Sequence, residues 1–200
     1  MTNATHRLNG TSPYDITTGA SLLKAGSTVV FPTDTVYGVG AGAFSSTGIA
    51  KLYAAKIREA EKGIPVLLAD LADLDQIAAD VSQAAWDLAE RYWPGALTLI
   101  IPKSSNLPAN ISPNHGIAVR IPDHDLCRDL IRQVGGAVAA TSANISGQPA
   151  ALSANDAFAQ LDGRVDAIID GGTVLGGVPS TIISLLEEQP KILRQGPIKI

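Results

Sequence analysis

Short apolar, β-branched runs recur along the chain, and most of them are bounded by proline, glycine or small polar residues. Such runs, bounded by turn-forming residues, are typical of β-strands. The runs lie at residues 28–31, 66–68, 97–101, 117–121, 138–140, 167–169, 181–185 and 192–193. The 19 glycines and 12 prolines supply the turns between them. This pattern predicts a fold built on many short strands.

Four segments between these runs have the signals of helices. Each begins at a residue that can cap a helix, and apolar residues then recur at helical spacing. The predicted helices are 45–56, capped by Ser45 or Ser46, 82–93, capped by Ser82, 123–134, capped by Asp123, and 153–161, capped by Ser153. Residues 1–13 are predicted to be a loose start, and residues 57–64 a loop.

Strands and helices mix along the chain without strict alternation, which predicts an α/β fold with a twisted mixed sheet and flanking helices. A length of 200 residues favours one domain over residues 1–200, with its core at about 14–197. The 46% of hydrophobic residues can build that core, and the 17% of charged residues argues against disorder.

The charge balance and the cysteine count exclude several functional classes. The net charge is −4 and no Lys/Arg run is present, which argues against general coating of nucleic acid. Cys127 is the single cysteine, so no intrachain disulfide can form. No secretory leader and no run of 18 apolar residues is seen, which predicts a cytoplasmic protein without membrane contact.

The segment Gly-Val-Gly-Ala-Gly-Ala at residues 38–43 matches the letters of a dinucleotide-binding fingerprint. In that fingerprint the first glycine follows a strand at once and the last opens a helix. Here residues 32–37 separate the strand from Gly38, and the helix signal begins only at Ser45. The context therefore favours a glycine-rich loop packed beneath a site. No Walker-type phosphate loop occurs, and no histidine spacing predicts a metal site held by the protein.

Polar side chains stand at or beside the ends of several predicted strands. Any one of these segments alone could be a turn with satisfied hydroxyl groups. Together they predict a ligand cleft, because polar groups gathered at strand ends form such clefts in α/β sheets. The segments are 32–38, Lys56 and Arg58 with Lys62, 141–144, and 179–182.

Taken together, these segments resemble the YrdC-type family of threonylcarbamoyl-AMP synthases, over about residues 21–197. The resemblance rests on Phe-Pro-Thr-Asp-Thr-Val-Tyr-Gly at 31–38, Lys-x-Arg at 56–58, Trp-Pro-Gly-Ala-Leu-Thr at 93–98, Ala-Val-Arg-Ile-Pro at 118–122, Thr-Ser-Ala-Asn-Ile-Ser-Gly at 141–147, Pro-Ser-Thr-Ile at 179–182 and Leu-Arg-Gln-Gly at 193–196. It implies the short, single-domain form of the family, with a concave ligand cleft.

The resemblance implies an enzyme that joins L-threonine, bicarbonate and ATP into threonylcarbamoyl-AMP and pyrophosphate for tRNA modification. The product would pass to tRNA threonylcarbamoyl transferase proteins, with weak or no direct binding of nucleic acid. Mg²⁺ is expected on the ATP phosphates. The implied catalytic residues are Lys56 and Arg58; the nucleotide ligands are Lys56, Arg58, Lys62, Ser142, Asn144 and Arg194; the threonine ligands are Thr35, Arg120, Thr141 and Ser180.

The chain departs from the family pattern at three positions. Glu59 and Gly63 stand where prolines are usual, and Leu67 stands where many members have a histidine near the threonine. Two alternative functions remain open: an RNA-binding module of the same fold, and a relative of the carbamoyltransferase type. The acidic pI argues against the first, and a free-standing chain argues against the second.

Overall fold

The computed structural model describes residues 4–57 and 62–200, and in these residues ten strands and six α-helices alternate irregularly. The strands are β1 His6–Asn9, β2 Val29–Phe31, β3 Gly38–Gly42, β4 Val66–Leu68, β5 Leu97–Pro102, β6 Gly116–Arg120, β7 Ala137–Ser142, β8 Ala167–Asp170, β9 Thr181–Ser184 and β10 Lys191–Arg194. The helices are α1 Pro13–Lys24, α2 Ser46–Lys56, α3 Leu74–Ile77, α4 Gln83–Tyr92, α5 Asp125–Val134 and α6 Ala154–Leu161.

All ten strands belong to one mixed sheet, in the order β1-β8-β2-β3-β7-β4-β6-β5-β9-β10. The pairs β1–β8, β2–β8, β4–β6 and β5–β9 are parallel, and the remaining neighbours are antiparallel. The predicted α/β fold with a mixed sheet and flanking helices is therefore confirmed. None of the helices in the described residues combines the length and the apolar character that a membrane span requires.

Alternation along each strand divides the core between the two faces of the sheet. On the first face, Val66, Val119 and Leu99 pack in one apolar cluster with α2, α4 and α6. On the second face, Leu67 and Val138 pack in another cluster with α1 and α5. The first face is therefore covered along most of its width, whereas α1 and α5 cover the half of the second face nearer β1.

The other half of the second face carries no helix of either cluster. Its residues alternate with Leu99, Val119 and Ile183 of the first face, and several of them keep part of their surface accessible. We call this surface the open face; it consists of Thr98, Ile100, Ala118, Arg120 and Ile182. Ile100, Ala118 and Ile182 on this face are partly exposed, whereas Thr98 and Arg120 are buried.

The structure corrects two sequence-based predictions at the N-terminal end. Residues 4–13 are not a loose start, because β1 pairs in parallel with β8 and Ser12 caps α1 by accepting a hydrogen bond from the backbone N–H of Asp15; the first three residues of the predicted loose start lie outside the described residues. Helix α1 was not predicted. At the start of α5 the cap is His124 rather than Asp123, since His124 Nδ1 accepts from the N–H of Cys127 at 3.4 Å.

The predicted glycine-rich loop at residues 38–43 is largely the buried strand β3. Glycine is needed there because β3 crosses beneath large side chains of its neighbours. A Cβ atom at Gly40 would lie 2.7 Å from Val138 Cγ1 and 2.9 Å from the ring of Phe31. The glycines therefore serve close packing between strands, and β3 aligns Val39 with Thr141 and Gly38 with Ser142.

Candidate functional site

Arg120 is the buried centre of the candidate site. It ends β6 on the open face, and only 6% of its surface is exposed. Its Nε donates to the carbonyl of Gly95 at 2.8 Å, Nη1 donates to Thr35 Oγ1 at 3.0 Å, and Nη2 donates to a carboxylate oxygen of Asp34. One guanidinium thus joins the loop after β2 to the turn before β5.

Burial lowers the pKa of Arg120, and the neighbouring carboxylate of Asp34 opposes that effect. Arginine nevertheless stays protonated in proteins. A buried, permanent cation at the edge of the open face is suited to an anionic group such as a carboxylate, which it can bind through its planar fork of donors.

The loop after β2 is held in a defined shape by its own hydroxyl groups. Thr33 Oγ1 donates to the carbonyl of Val36 at 2.7 Å and accepts from the N–H of Thr35 at 3.2 Å. The loop between β8 and β9 packs on top: the N–H of Gly177 donates to the carbonyl of Thr35 at 2.8 Å. A Cβ at Gly176 would lie 2.4 Å from the carbonyl oxygen of Asp34, so only glycine allows this approach.

Ser180 brings a second arginine to the same region. Its hydroxyl lies 2.7 Å from Thr98 Oγ1. Arg194 Nε donates to the Ser180 carbonyl at 2.9 Å, and Arg194 Nη2 to the Ser180 hydroxyl at 3.2 Å. Burial lowers the pKa of Arg194, and the positive charge of Arg120 lowers it further. The positive charges of these two guanidinium groups favour an anionic ligand in this region.

Lys56 lies at the end of α2, and only 2% of its surface is exposed. Its Nζ donates to the carbonyl of Asn144 at 2.6 Å, to Asn144 Oδ1 at 3.3 Å and to the carbonyl of Ser142. Asn144 Nδ2 in turn donates to the carbonyls of Ile145 and Gln148, at 2.8 and 2.7 Å. The Lys-x-Arg and Ser-x-Asn segments, predicted separately, thus meet at this lysine.

Of the remaining predicted site residues, the structure describes Thr141, Ser142 and Lys62. Thr141 and Ser142 end β7, and both are half-buried. Lys62 is exposed, and the hydroxyl of Tyr53 lies 3.5 Å from its carbonyl oxygen. Arg58, with Glu59, lies outside the described residues. Leu67 is buried and aligns with Arg120 in the parallel β4–β6 pair, on the same face.

Three residues that hydrogen-bond to the predicted site residues were not singled out from the sequence. Asp34 and Gly95 bond to Arg120, and Thr98 bonds to Ser180. Each lies inside a motif that carried the family resemblance, 31–38 or 93–98, so the motif marked the right segments. Cys127 and His124 have structural roles. Cys127 lies on the buried side of α5, where burial raises the pKa of its thiol far above the ordinary value.

The described side chains of the site can be compared with the ligands that metal ions require. Within residues 4–57 and 62–200, no group of three or more His, Cys, Asp or Glu side chains converges as metal ligands. The described site groups are instead cations and hydroxyls, together with the carboxylate of Asp34, which is paired with Arg120. Such groups suit Mg²⁺ that is carried by phosphate oxygens and water, which is the coordination this ion prefers.

Comparisons with known proteins identify relatives of this chain. The family model Sua5/YciO/YrdC, described as telomere recombination, matches residues 21–196. The threonylcarbamoyl-AMP synthase of Bacillus subtilis is 40% identical over 190 residues, which cover 94% of this chain and 55% of that protein. A Mycobacterium leprae relative is 37% identical over 92% of this chain and 84% of its own length.

A solved structure of Pyrococcus abyssi Sua5 complexed with L-threonine superimposes with a TM-score of 0.90 at 38% identity. The match covers 92% of this chain and 55% of that one, so the chain spans about half the length of this relative and of the Bacillus subtilis protein. The matched residues include the Arg120 region, the Lys56–Asn144 group and the strands that carry them. The chain therefore belongs to the Sua5/YciO/YrdC family.

Proposed function

We propose that the chain is an L-threonylcarbamoyl-AMP synthase, which forms threonylcarbamoyl-AMP and pyrophosphate from L-threonine, bicarbonate and ATP. The observation that carries the proposal is the buried cation of Arg120 at the end of β6, which donates a hydrogen bond to the hydroxyl of Thr35. A carboxylate partner beside a hydroxyl partner matches the carboxylate and the side-chain hydroxyl of threonine.

The chemistry has two parts in this proposal. The amino group of threonine takes up bicarbonate or its CO₂ as a carbamate, and a carbamate oxygen then attacks the α-phosphorus of ATP as pyrophosphate leaves. Arg120, Thr35, Thr141 and Ser180 would hold threonine. The attack is favoured when the carbamate and the α-phosphate are held close together, so positioning supplies much of the rate.

ATP brings about four negative charges, which need cations and backbone N–H donors. Arg194, Lys62 and Arg58 would supply cations, with Ser142 and Asn144 on the nucleotide side. Lys56 would act there largely through the shape it imposes on Ser142 and Asn144, because its ammonium already donates to their oxygens. Mg²⁺ bound to the phosphates would reduce their charge.

The product would supply a tRNA threonylcarbamoyl transferase, and the reaction would take place in the cytoplasm. The acidic net charge of −4 supports passing on a small molecule rather than binding tRNA tightly. The partners of the chain would thus be three small substrates and the protein that consumes the adenylate.

The test is an incubation of the purified chain with MgATP, bicarbonate and radiolabelled threonine. Pyrophosphate release should need threonine and bicarbonate together, and the label should enter a product that releases AMP on mild hydrolysis. Equal pyrophosphate release without threonine, or without bicarbonate in degassed buffer, would contradict the proposal. Salt-dependent RNA binding without ATP turnover would favour the RNA-binding alternative instead.

A further inference from the structure

His124 uses one ring nitrogen within the fold and leaves the other without a partner. Its Nδ1 accepts a hydrogen bond from the backbone N–H of Cys127 at 3.4 Å and thereby caps α5. A ring nitrogen that accepts carries no proton, so the proton of the neutral imidazole is on Nε2. Within residues 4–57 and 62–200, Nε2 has no hydrogen-bond partner, and it is accessible because the side chain is only half-buried.

The first turn of α5 lies beside the end of β6. Strand β6 ends at Arg120, and residues 121–123 connect it to His124. This connection is held at Gly95, whose N–H donates to the carbonyl of Ile121 at 2.9 Å. The carbonyl of the same glycine accepts from Arg120 Nε at 2.8 Å. His124 is therefore fixed close to the buried cation of the candidate site.

The same turn also packs on the loop after β2. Leu126 Cδ1 lies 3.3 Å from the position that a Cβ on Gly171 would take, and Pro32 Cγ lies 2.6 Å from that position. Pro32 begins the loop that carries Asp34. Burial lowers the pKa of His124, and the charge of Asp34 is the largest of the effects that oppose this. An imidazole with a lowered pKa is neutral at pH 7, so Nε2 keeps its proton as a donor.

Bicarbonate is the proposed substrate for which a donor is still needed. In carbamate formation the neutral amine of threonine forms an N–C bond with bicarbonate, the C–OH bond breaks, and the hydroxide leaves as water with one proton from the amine. The negative charge stays on the carbamate oxygens. A neutral N–H can hold one of these oxygens by a charge-assisted hydrogen bond. It does so without the full positive charge that would reduce the nucleophilicity needed for attack on the α-phosphorus.

We propose that Nε2–H of His124 donates a hydrogen bond to an oxygen of bicarbonate and of the carbamate formed from it. This inference rests on the proposed function and deepens it. With the carboxylate of threonine at Arg120, the amine is on the adjacent carbon, and the carbamate forms on that amine. His124 then has two functions, one for each nitrogen: Nδ1 caps α5, and Nε2 binds the group that becomes the nucleophile.

The alternative is that His124 only caps α5, and two substitutions separate the two functions. Asparagine presents its amide oxygen near the position of Nδ1 and is a preferred cap, but its side chain does not reach as far as Nε2. Glutamine presents an amide N–H₂ near the position of Nε2 but is not among the preferred caps. His115→Asn is the control, because His115 is exposed and lies just before β6, at the opposite end of that strand from Arg120.

The measurements are the initial rate of pyrophosphate release in degassed buffer with added bicarbonate, and unfolding in urea. His124→Asn should raise the KM for bicarbonate at least about tenfold and the KM for ATP less than about threefold, because one hydrogen bond to a charged group is lost. Its urea midpoint should equal that of the wild type. His124→Gln should keep the KM for bicarbonate within about threefold and should unfold at a lower urea concentration. His115→Asn should change neither property.

A KM for bicarbonate equal to that of the wild type in His124→Asn would overturn the proposal and leave His124 as a helix cap alone. Equal rises in the KM for bicarbonate, threonine and ATP would overturn it as well, since they indicate a general distortion of the site. Should His124→Asn fail to fold, a tenfold or larger rise in the KM for bicarbonate in His124→Gln would overturn it, by about the same factor as one lost charge-assisted bond. If the wild type releases pyrophosphate without bicarbonate, the proposed function itself fails. A wild type that depends on bicarbonate beside an unaffected His124→Asn contradicts this inference alone.

Discussion

Lys56 Nζ donates a 2.6 Å hydrogen bond to the carbonyl oxygen of Asn144, across 88 residues of sequence. The same ammonium also reaches Ser142, so one buried charge connects the end of α2 to the turn after β7. A buried ammonium is stable only when its hydrogen-bonding needs are met, and here the backbone of a predicted nucleotide-binding segment meets them. Lys56 therefore has a structural role that does not depend on a bound ligand.

Lys56→Met tests this role. Methionine preserves the length of the side chain but cannot donate, so the carbonyls of Ser142 and Asn144 lose a charged donor. We expect the free energy of unfolding in urea to fall by about 2–4 kcal/mol. The control is Lys51→Met in the same helix, whose ammonium is half-exposed and lies 4.0 Å from Asp166; it should change stability by less than about 1 kcal/mol. Similar losses in both variants would contradict the role given to Lys56.

Arg120 is expected to control the threonine requirement. Arg120→Ala removes the proposed carboxylate partner, and Arg120→Lys keeps the charge but not the planar fork. Each variant should raise the KM for threonine more than the KM for ATP. In Arg120→Ala the rise in the KM for threonine should correspond to the loss of one charge-assisted contact, about 1.5–3 kcal/mol. Steady-state pyrophosphate release measures both constants. Arg132→Lys, on the surface of α5, is the control, and unchanged threonine dependence in folded Arg120→Lys would show that the carboxylate binds elsewhere.

Arg58 remains a prediction from the sequence, since it lies outside the described residues. Its alternative role is a solvated helix end, where a cation complements the helix dipole for less than about 1 kcal/mol. At a solvated helix end, Arg58→Lys would leave turnover unchanged. At a phosphate site the loss of the planar fork should lower turnover at least about tenfold at saturating threonine, or about 1.4 kcal/mol, with normal folding and threonine binding. Turnover equal to that of the wild type would remove Arg58 from the catalytic residues; Arg91→Lys, on α4, is the control.

Asp70 should make stability depend on pH in the acid range. Hydrogen bonds from Arg132 and Arg128 lower the pKa of Asp70 to about 2, against the opposing effect of burial. Because the folded-state pKa is below the ordinary value of 3.8, the stabilisation is present above about pH 4 and is lost as the pH falls toward 2. Both side chains of the Asp70–Arg132 pair are 43% exposed, so the pair stabilises the fold by at most about 1 kcal/mol. Urea unfolding of wild type and Asp70→Asn should differ at pH 7 and converge near pH 2; a constant difference would contradict this.

Local signals in the sequence were enough to predict most of the helices and strands. Ser82 and Ser153 cap the helices predicted for them, and the helix predicted to end at Lys56 does so. These elements could be predicted because a cap, a run of apolar spacing and a terminating residue act within one or two turns of chain. The motifs also marked the segments that form the site.

Elements that depend on distant partners could not be predicted in the same way. Strand β1 consists of His6, Arg7, Leu8 and Asn9, largely polar, and it is a strand because it pairs in parallel with β8. Strand β3 is glycine-rich, a composition that disfavours strands, but close packing against Phe31 and Val138 requires it. In both cases the tertiary neighbour outweighs the intrinsic preference of the residues.

The chemical types available to the site could be predicted from its motifs: threonine and serine hydroxyls, a few cations and an acidic residue. The pairing of Arg120 with Asp34, 86 residues apart, and the oxygen of Asp34 that is unsatisfied among the described residues became visible only in the folded chain. Side-chain types and turn signals are local properties of the chain. Which charges become neighbours depends instead on the order of strands in the sheet, which long-range backbone pairing alone sets.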